Sequence, residues 1–210
     1  MNISAPNYYS NARREIAPFL PARVESVLEV GCGEGQTLLW LKNERSVSVC
    51  HGVEIFAEVA KTGQSNGLDI AVLDIETDVL PFHIQYDLIL FLDVLEHLRN
   101  PWLVLPQLLS KLKPDGSVIV SLPNISHLSV LSGIILKNDW RYENAGILDQ
   151  THLRFFTRKS AIRLLNTGGL QFIKCKAKFA RKTHRNINFL TFGLFERFLA
   201  YQYIFLARKV

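Results

Sequence analysis

A short apolar strand followed by a turn of alternating glycines constrains this 210-residue chain more than any other stretch. The strand is predicted at Ser26–Val30, the turn reads Gly31-Cys32-Gly33-Glu34-Gly35, and a helix is predicted from Thr37. Glycines allow backbone dihedrals and close approaches that side chains forbid. At the carboxyl end of a strand, such a turn lets a ligand lie against bare backbone.

Strand-like and helix-like segments alternate from residue 26 to residue 122. This alternation predicts an α/β fold with a doubly wound, Rossmann-like sheet that is mostly parallel. The remaining strands are predicted at Ser46–Val53, Leu68–Leu73, Tyr86–Leu92, Ser117–Leu122, Leu170–Lys178 and Tyr201–Lys209. One helix is predicted from Pro101 through Leu112, ended by Pro114-Asp115-Gly116, and an apolar helix is predicted at Phe189–Leu199.

We expect a single domain over residues 1–210. Residues 1–25 are predicted to form a lid helix in which Tyr8, Tyr9 and Arg13 cover the site, with a loosely ordered terminus as the alternative. Residues 123–157 interrupt the alternation and are interpreted as a substrate-side insertion.

Composition favours a cytoplasmic globular protein. Hydrophobic residues make up 48% of the chain and charged residues 20%, which is enough apolar material for a core. The three cysteines have no paired spacing, which argues against a disulfide framework and a CxxC zinc site. No signal peptide is predicted, and the charge-free stretch Ser117–Leu136 is divided by Pro123-Asn124.

The formal net charge of +5 includes a basic cluster that contains Lys174, Lys176, Lys178, Arg181, Lys182 and Arg185. The cluster is either a solvated strand edge or an anion-attracting surface. With the apolar helix that follows it, the region 174–198 is compatible with peripheral membrane contact, with core packing or with a homodimer. Nucleic acid is not favoured as a partner.

The residues after the strands indicate the ligand. Gln36 occupies the place of the small residue in a dinucleotide-binding turn, and Glu34 would repel a pyrophosphate. Glu54 follows the second strand, where a carboxylate can accept from both ribose hydroxyls, and Asp74 follows the third, where it can accept from an exocyclic amine. The pattern favours an adenosine ligand without phosphates.

These motifs resemble those of class I S-adenosylmethionine-dependent methyltransferases, over roughly residues 26–122. The resemblance implies a seven-stranded sheet with an antiparallel last strand, and S-adenosylmethionine as the cofactor. The residues it implies for the cofactor are Glu29, Gly31, Cys32, Gly33, Gly35, Glu54, Ile55, Asp74, Ile75, Leu92, Asp93 and His97. Cys32 is interpreted as a small residue of the turn and not as a nucleophile.

The segment from Gly146 to Thr157 resembles ubiquinone-biosynthesis-like methyltransferases of saccharide and natural-product clusters. We therefore expect methylation of a small molecule or saccharide, most simply at oxygen. His152 is the candidate general base, with Asp149 as its orienting partner. The alternative for His152 is a structural role beside the next helix. Candidate substrate contacts are Arg154, His127 and Tyr142; Arg154 could instead pair with Asp149.

No metal is expected. Some relatives hold a divalent metal with Glu-x-x-Glu-His, but this chain has Asp93 at the first position, and its sequence identifies no further ligand beside Glu96 and His97. Two other functions stay open at this point: a nicotinamide-dependent oxidoreductase on a similar sheet, and a non-catalytic module that binds S-adenosylmethionine.

Overall fold

The computed structural model describes residues 10–209. The strands are β1 Ser26–Val30, β2 Val49–Glu54, β3 Asp69–Val72, β4 Tyr86–Leu92, β5 Leu112–Pro123, β6 Leu170–Lys178 and β7 Gln202–Lys209. The helices are α1 Gln36–Glu44, α2 Ala57–Ser65, α3 Pro101–Leu109, α4 Leu128–Lys137, α5 Arg158–Thr167, α6 Lys182–Leu190 and α7 Glu196–Leu199. A 3-10 helix at Arg14–Phe19 precedes them.

The strands form one seven-stranded sheet in the order β3-β2-β1-β4-β5-β7-β6. Strands β1 to β5 pair in parallel, and β7 is antiparallel to both of its neighbours, β5 and β6. The α/β class, the seven strands and the antiparallel last strand are therefore confirmed. The carboxyl ends of the parallel strands lie at one edge of the sheet, where ligands bind in doubly wound folds.

Strand β4 lies at the centre of the sheet and shows how the core is divided. Leu88 and Leu90 pack with α1 on one face of the sheet, whereas Ile89 and Phe91 pack with α3 and α5 on the other. Successive side chains of a strand point to opposite faces. A strand covered by helices on both faces is nearly all apolar, as β4 is apart from Asp87, which is why its limits could be predicted from the sequence.

Several predicted boundaries are wrong for identifiable reasons. Helix α3 ends at Leu109, and β5 already begins at Leu112. The pairing of β4 with β5 shifts between Tyr86 and Leu88, so residues 113–116 bulge out of the strand instead of forming a turn before it. The predicted apolar helix at Phe189–Leu199 is divided into α6 and α7, because Phe192 and Gly193 take positive φ angles of 50° and 81°.

Strand β2 is shorter than predicted at its start, because Ser46 has a φ of 56° and cannot continue an extended strand. In the part of the chain that the structure describes, no helix has both the length and the apolar character needed to cross a membrane.

Candidate cofactor and acceptor site

The glycine turn lies at the carboxyl edge of the sheet, between β1 and α1. Gly31, Gly33 and Gly35 all have positive φ, at 67°, 56° and 75°. A Cβ on Gly31 would lie 2.6 Å from Val94 Cγ2, and one on Gly35 would lie 2.3 Å from Leu68 Cδ1. Gly31 and Gly35 are therefore required both by dihedral angle and by space, and Gly33 by dihedral angle.

Glu54 joins the end of β2 to this turn. Its carboxylate accepts from the Gly33 backbone N–H at 2.9 Å through Oε2, and from the Phe56 N–H at 3.0 Å through Oε1. The side chain is buried beside the turn. Two backbone donors hold the carboxylate in one orientation, and each oxygen keeps further acceptor capacity for a ligand hydroxyl.

Two further groups beneath the turn are buried. Burial raises the pKa of Glu29 to about 8, and Glu29 Oε2 has no partner among the described residues. Burial, with the nearby Glu29 and Glu54 carboxylates, also raises the pKa of the Cys32 thiol well above its usual range. A thiol in that state is not an activated nucleophile.

Asp93 follows β4 with a φ of 62°, and its carboxylate is already engaged. Arg13 donates to its Oδ2 at 2.8 Å, Ser121 donates to its Oδ1 at 2.8 Å, and the Gln202 amide also donates to Oδ1. The ion pair between Arg13 and Asp93 thus holds the segment before the 3-10 helix against the carboxyl edge of the sheet. The lid residues Tyr8 and Tyr9 lie outside the described residues.

Asp74 and the isoleucines beside the two acids also lie at this edge. Asp74 Oδ1 accepts from the Glu76 N–H at 2.9 Å, and Oδ2 lies 3.4 Å from the Arg99 guanidinium. Ile55, next to Glu54, is 55% exposed, whereas Ile75 packs against the core. Leu92 is buried at the end of β4.

The insertion at residues 123–157 brings His152 against His97. Their ring centroids lie 4.7 Å apart in an edge-to-face arrangement. The backbone N–H groups of Leu153 and Arg154 donate to the Glu96 carbonyl at 2.8 and 2.9 Å, which holds this part of the insertion to the end of β4. Glu96, His97 and His152 each offer a ligand atom, and these atoms all lie within 4.8 Å of one another.

In His97 and His152, Nε2 has no hydrogen-bond partner among the described residues. His152 Nδ1 lies 3.0 Å from the Ile147 carbonyl oxygen, and His97 Nδ1 lies 3.2 Å from the Thr151 carbonyl oxygen. A carbonyl only accepts, so Nδ1 carries the hydrogen in both rings, and Nε2 is an acceptor. Metal-ligating histidines show this same second hydrogen bond.

Glu96 is buried, and neither of its carboxylate oxygens has a hydrogen-bond partner among the described residues. Burial, with the Asp93 charge, raises the pKa of Glu96 well above its usual range. Burial, with the neighbouring His152, lowers the pKa of His97. Burial therefore disfavours the charged forms of both Glu96 and His97, and the donor set of Glu96, His97 and His152 fits a divalent cation.

One expected contact of the insertion is wrong, and one alternative pairing does not form. Asp149 does not hold the His152 ring: its Oδ1 accepts from the Thr151 N–H at 2.8 Å and from the Thr151 hydroxyl at 2.6 Å. Arg154 does not pair with Asp149, because its guanidinium donates to the Arg99 carbonyl and lies 5.7 Å from the Trp102 ring. The intervening backbone turns the two side chains to different neighbours.

The other two residues predicted to contact the acceptor, His127 and Tyr142, lie in different surroundings. His127 caps α4, accepting from the Ser129 N–H at 3.2 Å through Nδ1, and is buried. Tyr142 is 52% exposed and packs with Trp140 and Phe155. Phe155 in turn lies 6.3 Å from the His152 ring, so these three aromatic residues form a wall that adjoins His152.

Sequence reasoning missed three members of the site: Glu96 as a buried free carboxylate, and Ser121 and Gln202 as partners of Asp93. Glu96 stands beside His97 in the sequence, but its second histidine is contributed by the distant insertion. No local pattern could have indicated that juxtaposition.

A methyltransferase domain family matches residues 4–174 of the chain. By sequence, the chain is 31% identical over 112 residues to the ubiquinone biosynthesis O-methyltransferase of Rickettsia prowazekii (strain Madrid E). That match covers 52% of this chain and 44% of the relative, so the chain matches less than half of the relative's length.

The fold is similar to the crystal structure of a SAM-dependent methyltransferase from Archaeoglobus fulgidus, with a TM-score of 0.68, 20% identity and coverage of 93% of this chain and 90% of that one. It is also similar to the O-methyltransferase from a trans-AT PKS multienzyme of Brevibacillus brevis, crystallised with S-adenosyl-L-homocysteine. The TM-score there is 0.60 at 20% identity, with coverage of 90% of this chain and 68% of that one.

Proposed function

Because this chain belongs to the class I S-adenosylmethionine-dependent methyltransferases, we propose that it methylates an oxygen of a small-molecule or saccharide acceptor. The observation that carries the proposal is the contact between Gly33 and Glu54. It places an oriented carboxylate beside a bare glycine turn at the carboxyl edge of the sheet. That combination suits a nucleoside whose ribose hydroxyls need an acceptor and whose tail carries no phosphate.

In this proposal, Glu54 accepts from the ribose hydroxyls and Ile55 covers one face of the adenine. Asp74 accepts from the adenine amine, which requires it to give up its 3.4 Å contact with Arg99. Gly31, Cys32, Gly33 and Gly35 bring backbone close to the methionine part. Glu29, Ile75, Leu92, Asp93 and His97 support the turn and the strand ends from below and beside it.

Methyl transfer is an in-line displacement at a carbon already activated by the sulfonium, so the protein has to align the acceptor and take its proton. We assign the proton to His152 Nε2, since Nδ1 is held by the Ile147 carbonyl. Asp149 acts indirectly, through Thr151, whose carbonyl and hydroxyl oxygens both lie 3.2 Å from His97 Nδ1. Where a divalent cation binds, Glu96, His97 and His152 would hold it; His152 Nε2 would then be a ligand and not the base, and the cation would instead lower the pKa of the acceptor hydroxyl.

The wall of Trp140, Tyr142 and Phe155 favours an acceptor with an apolar or aromatic face. Arg154 and His127 stay predictions as acceptor contacts. For Arg154, an anionic acceptor group would have to compete with the Arg99 carbonyl, and for His127 only Nε2 is without a partner among the described residues.

Two measurements test the proposal. Calorimetry should show micromolar binding of S-adenosylhomocysteine, and methyl transfer from labelled S-adenosylmethionine should appear on at least one phenol or saccharide of an acceptor panel. His152→Ala should keep the binding and lower the turnover number by about 10² or more. Absence of S-adenosylhomocysteine binding would refute the proposal. Binding without turnover on any acceptor would favour a non-catalytic module.

A further inference from the structure

The connection between β6 and β7 is much longer than the sheet requires. The two strands are antiparallel neighbours and pair from Leu170↔Lys209 to Lys178↔Gln202. Antiparallel neighbours can be joined by a two-residue turn. Here residues 179–201 join them and carry α6 and α7. This second insertion, residues 179–201, is not needed to pair β6 with β7, so its exposed surface needs another explanation.

This insertion exposes large apolar side chains. Helix α6 has no buried residue. Phe189, Leu190, Phe192 and Leu194 are 80%, 73%, 99% and 73% exposed. Single exposed apolar residues are ordinary, but a contiguous run of this kind marks an interaction surface.

The charge beside this run has one sign. No Asp or Glu occurs from residue 174 to residue 195. Two of the lysines already have partners. Lys174 donates to the Pro18 carbonyl at 2.9 Å, and Lys178 donates to Glu15 Oε1 at 3.0 Å. Arg181, Lys182 and Arg185 are exposed at and within the start of α6. These three cations therefore adjoin the apolar run.

The insertion is anchored at the catalytic edge of the sheet. The Asn124 amide, just after β5, donates to the Arg197 and Ala200 carbonyls at 2.8 Å each. The ring centroid of His184 on α6 lies 5.5 Å from that of His127, the cap of α4. The exposed surface therefore lies on the same side of the molecule as the glycine turn.

We propose that Arg181, Lys182, Arg185, Phe189, Leu190, Phe192 and Leu194 form a surface that docks on an anionic lipid bilayer. The aromatic and leucine side chains enter the boundary between headgroups and acyl chains, and the three cations remain among the anionic headgroups. Helix α6 covers only Lys182–Leu190 and lies on the bilayer without spanning it.

Charge favours a lipid occupant over a second copy of the chain. A twofold contact places the same patch of both copies face to face, so the three cations of one copy would lie close to the three of the other, with no acid between residues 174 and 195 to compensate. An anionic bilayer offers the opposite charge together with an apolar phase.

Vesicle co-sedimentation tests the proposal without cofactor or acceptor, so its result is independent of methyl transfer. The protein should bind vesicles of phosphatidylglycerol and phosphatidylcholine, bind pure phosphatidylcholine vesicles far less, and lose affinity in 0.5 M salt as screening increases (about 4 Å Debye length). The double variant Phe189→Ser with Phe192→Ser should lower the partition coefficient about tenfold or more. Lys182→Glu with Arg185→Glu should lower it about fivefold for each cation lost.

The matched controls replace an exposed apolar residue and two exposed cations that lie outside residues 179–201. Val79 is 89% exposed near β3, at the other end of the strand order, so Val79→Ser should bind like the wild type. Arg23→Glu with Lys61→Glu makes the same net charge change on exposed residues away from the insertion and should retain most of the binding.

Equal binding to both vesicle types, or unchanged binding of the Phe189→Ser/Phe192→Ser variant, would overturn the proposal. Light scattering tests the alternative. If the wild type is a dimer, the Phe189→Ser/Phe192→Ser variant is a monomer and the wild type does not bind vesicles, the proposal is wrong and the surface is a self-association face.

Discussion

The rings of His97 and His152 meet edge to face at 4.7 Å beside Glu96, whose carboxylate has no hydrogen-bond partner among the described residues. We expect Mn²⁺ or Zn²⁺ to bind here and to raise the melting temperature. His152→Ala should weaken binding about tenfold or more, because it removes one of three ligands. Calorimetry in the absence of cofactor measures this directly. His83→Ala, at an exposed histidine between β3 and β4, is the control and should change nothing.

Cation binding should also depend on pH, because the pKa of Glu96 is raised and the carboxyl must lose its proton to become a ligand. The affinity should rise as pH rises, with protons released on binding. An affinity that is independent of pH, or unaffected by His152→Ala, would exclude Glu96 and His152 as ligands.

Glu54→Gln tests the cofactor assignment. The amide oxygen can still accept from the Gly33 N–H, whereas the charge that favours bonds from the ribose hydroxyls is lost. Hydrogen bonds to charged groups contribute about 1.5–3 kcal/mol, so affinity for S-adenosylhomocysteine should fall about tenfold to a hundredfold. Glu58→Gln, on the exposed face of α2, should leave affinity unchanged. Equal affinity in both variants would refute the assignment.

Gly31→Ala should destabilise the fold by about 2–4 kcal/mol. It combines left-handed strain with a Cβ that would lie 2.6 Å from Val94 Cγ2. Gly67→Ala is the matched control: Gly67 has a φ of 76°, and a Cβ there would meet nothing within 4 Å, so only the strain of about 1 kcal/mol applies. Urea unfolding measures both. Adding Val94→Ala to Gly31→Ala should recover part of the difference, and no recovery would contradict a steric origin.

Glu29 should make stability fall as pH rises. Its pKa is raised by burial to about 8 in the folded protein, against about 4.3 in an unfolded chain, so the folded state holds the proton more tightly. The stabilisation from this group is complete below about pH 4.3 and is lost towards pH 8, by up to about 1.4 kcal/mol per pH unit. Relative to wild type, Glu29→Gln should therefore become more stable as pH rises from 5 to 8. A difference that stays constant across this range would contradict the raised pKa.

Arg13 and Arg14 are adjacent but should differ in their effect on stability. Arg13 contacts Glu15, Asp93 and Ser121 in a partly buried setting, with side-chain exposures of 20% for both Arg13 and Asp93. Arg14 pairs with Glu44 on the surface, where both side chains are at least half exposed. Arg13→Met should cost about 2 kcal/mol of unfolding free energy, and Arg14→Met should cost much less, because solvent screens the exposed Arg14–Glu44 pair. Equal costs would mean that the Asp93 contact adds nothing.

Much of the fold could be predicted because its signals are local. Strand β4 is apolar except for Asp87, and the glycines at 31, 33 and 35 identify the turn after β1. The bulge at 113–116 could not be predicted, because it depends on how β5 pairs with β4. At the break between α6 and α7, Gly193 is visible in the sequence, whereas the positive φ of Phe192, which is not a glycine, could not be predicted.

The acceptor side of the site was predicted less well for the same reason. His152 was selected from its surroundings in the sequence, but its hydrogen-bond partner is the Ile147 carbonyl and not Asp149. Arg154 contacts the Arg99 carbonyl instead of Asp149. Side-chain partners in an irregular segment depend on backbone directions that residue types do not specify.

By itself, the sequence determined the α/β class, the family and the glycine turn of the cofactor site, because periodic apolar strands and glycine spacing act over a few residues. Only the tertiary structure decided that Glu54 accepts a hydrogen bond from Gly33 and that Arg13 pairs with Asp93. It also decided that the insertion at residues 123–157 brings His152 to Glu96 and His97. Contacts between residues far apart in the chain depend on where the sheet and its crossovers place each segment, and this three-dimensional arrangement is not encoded in any one stretch.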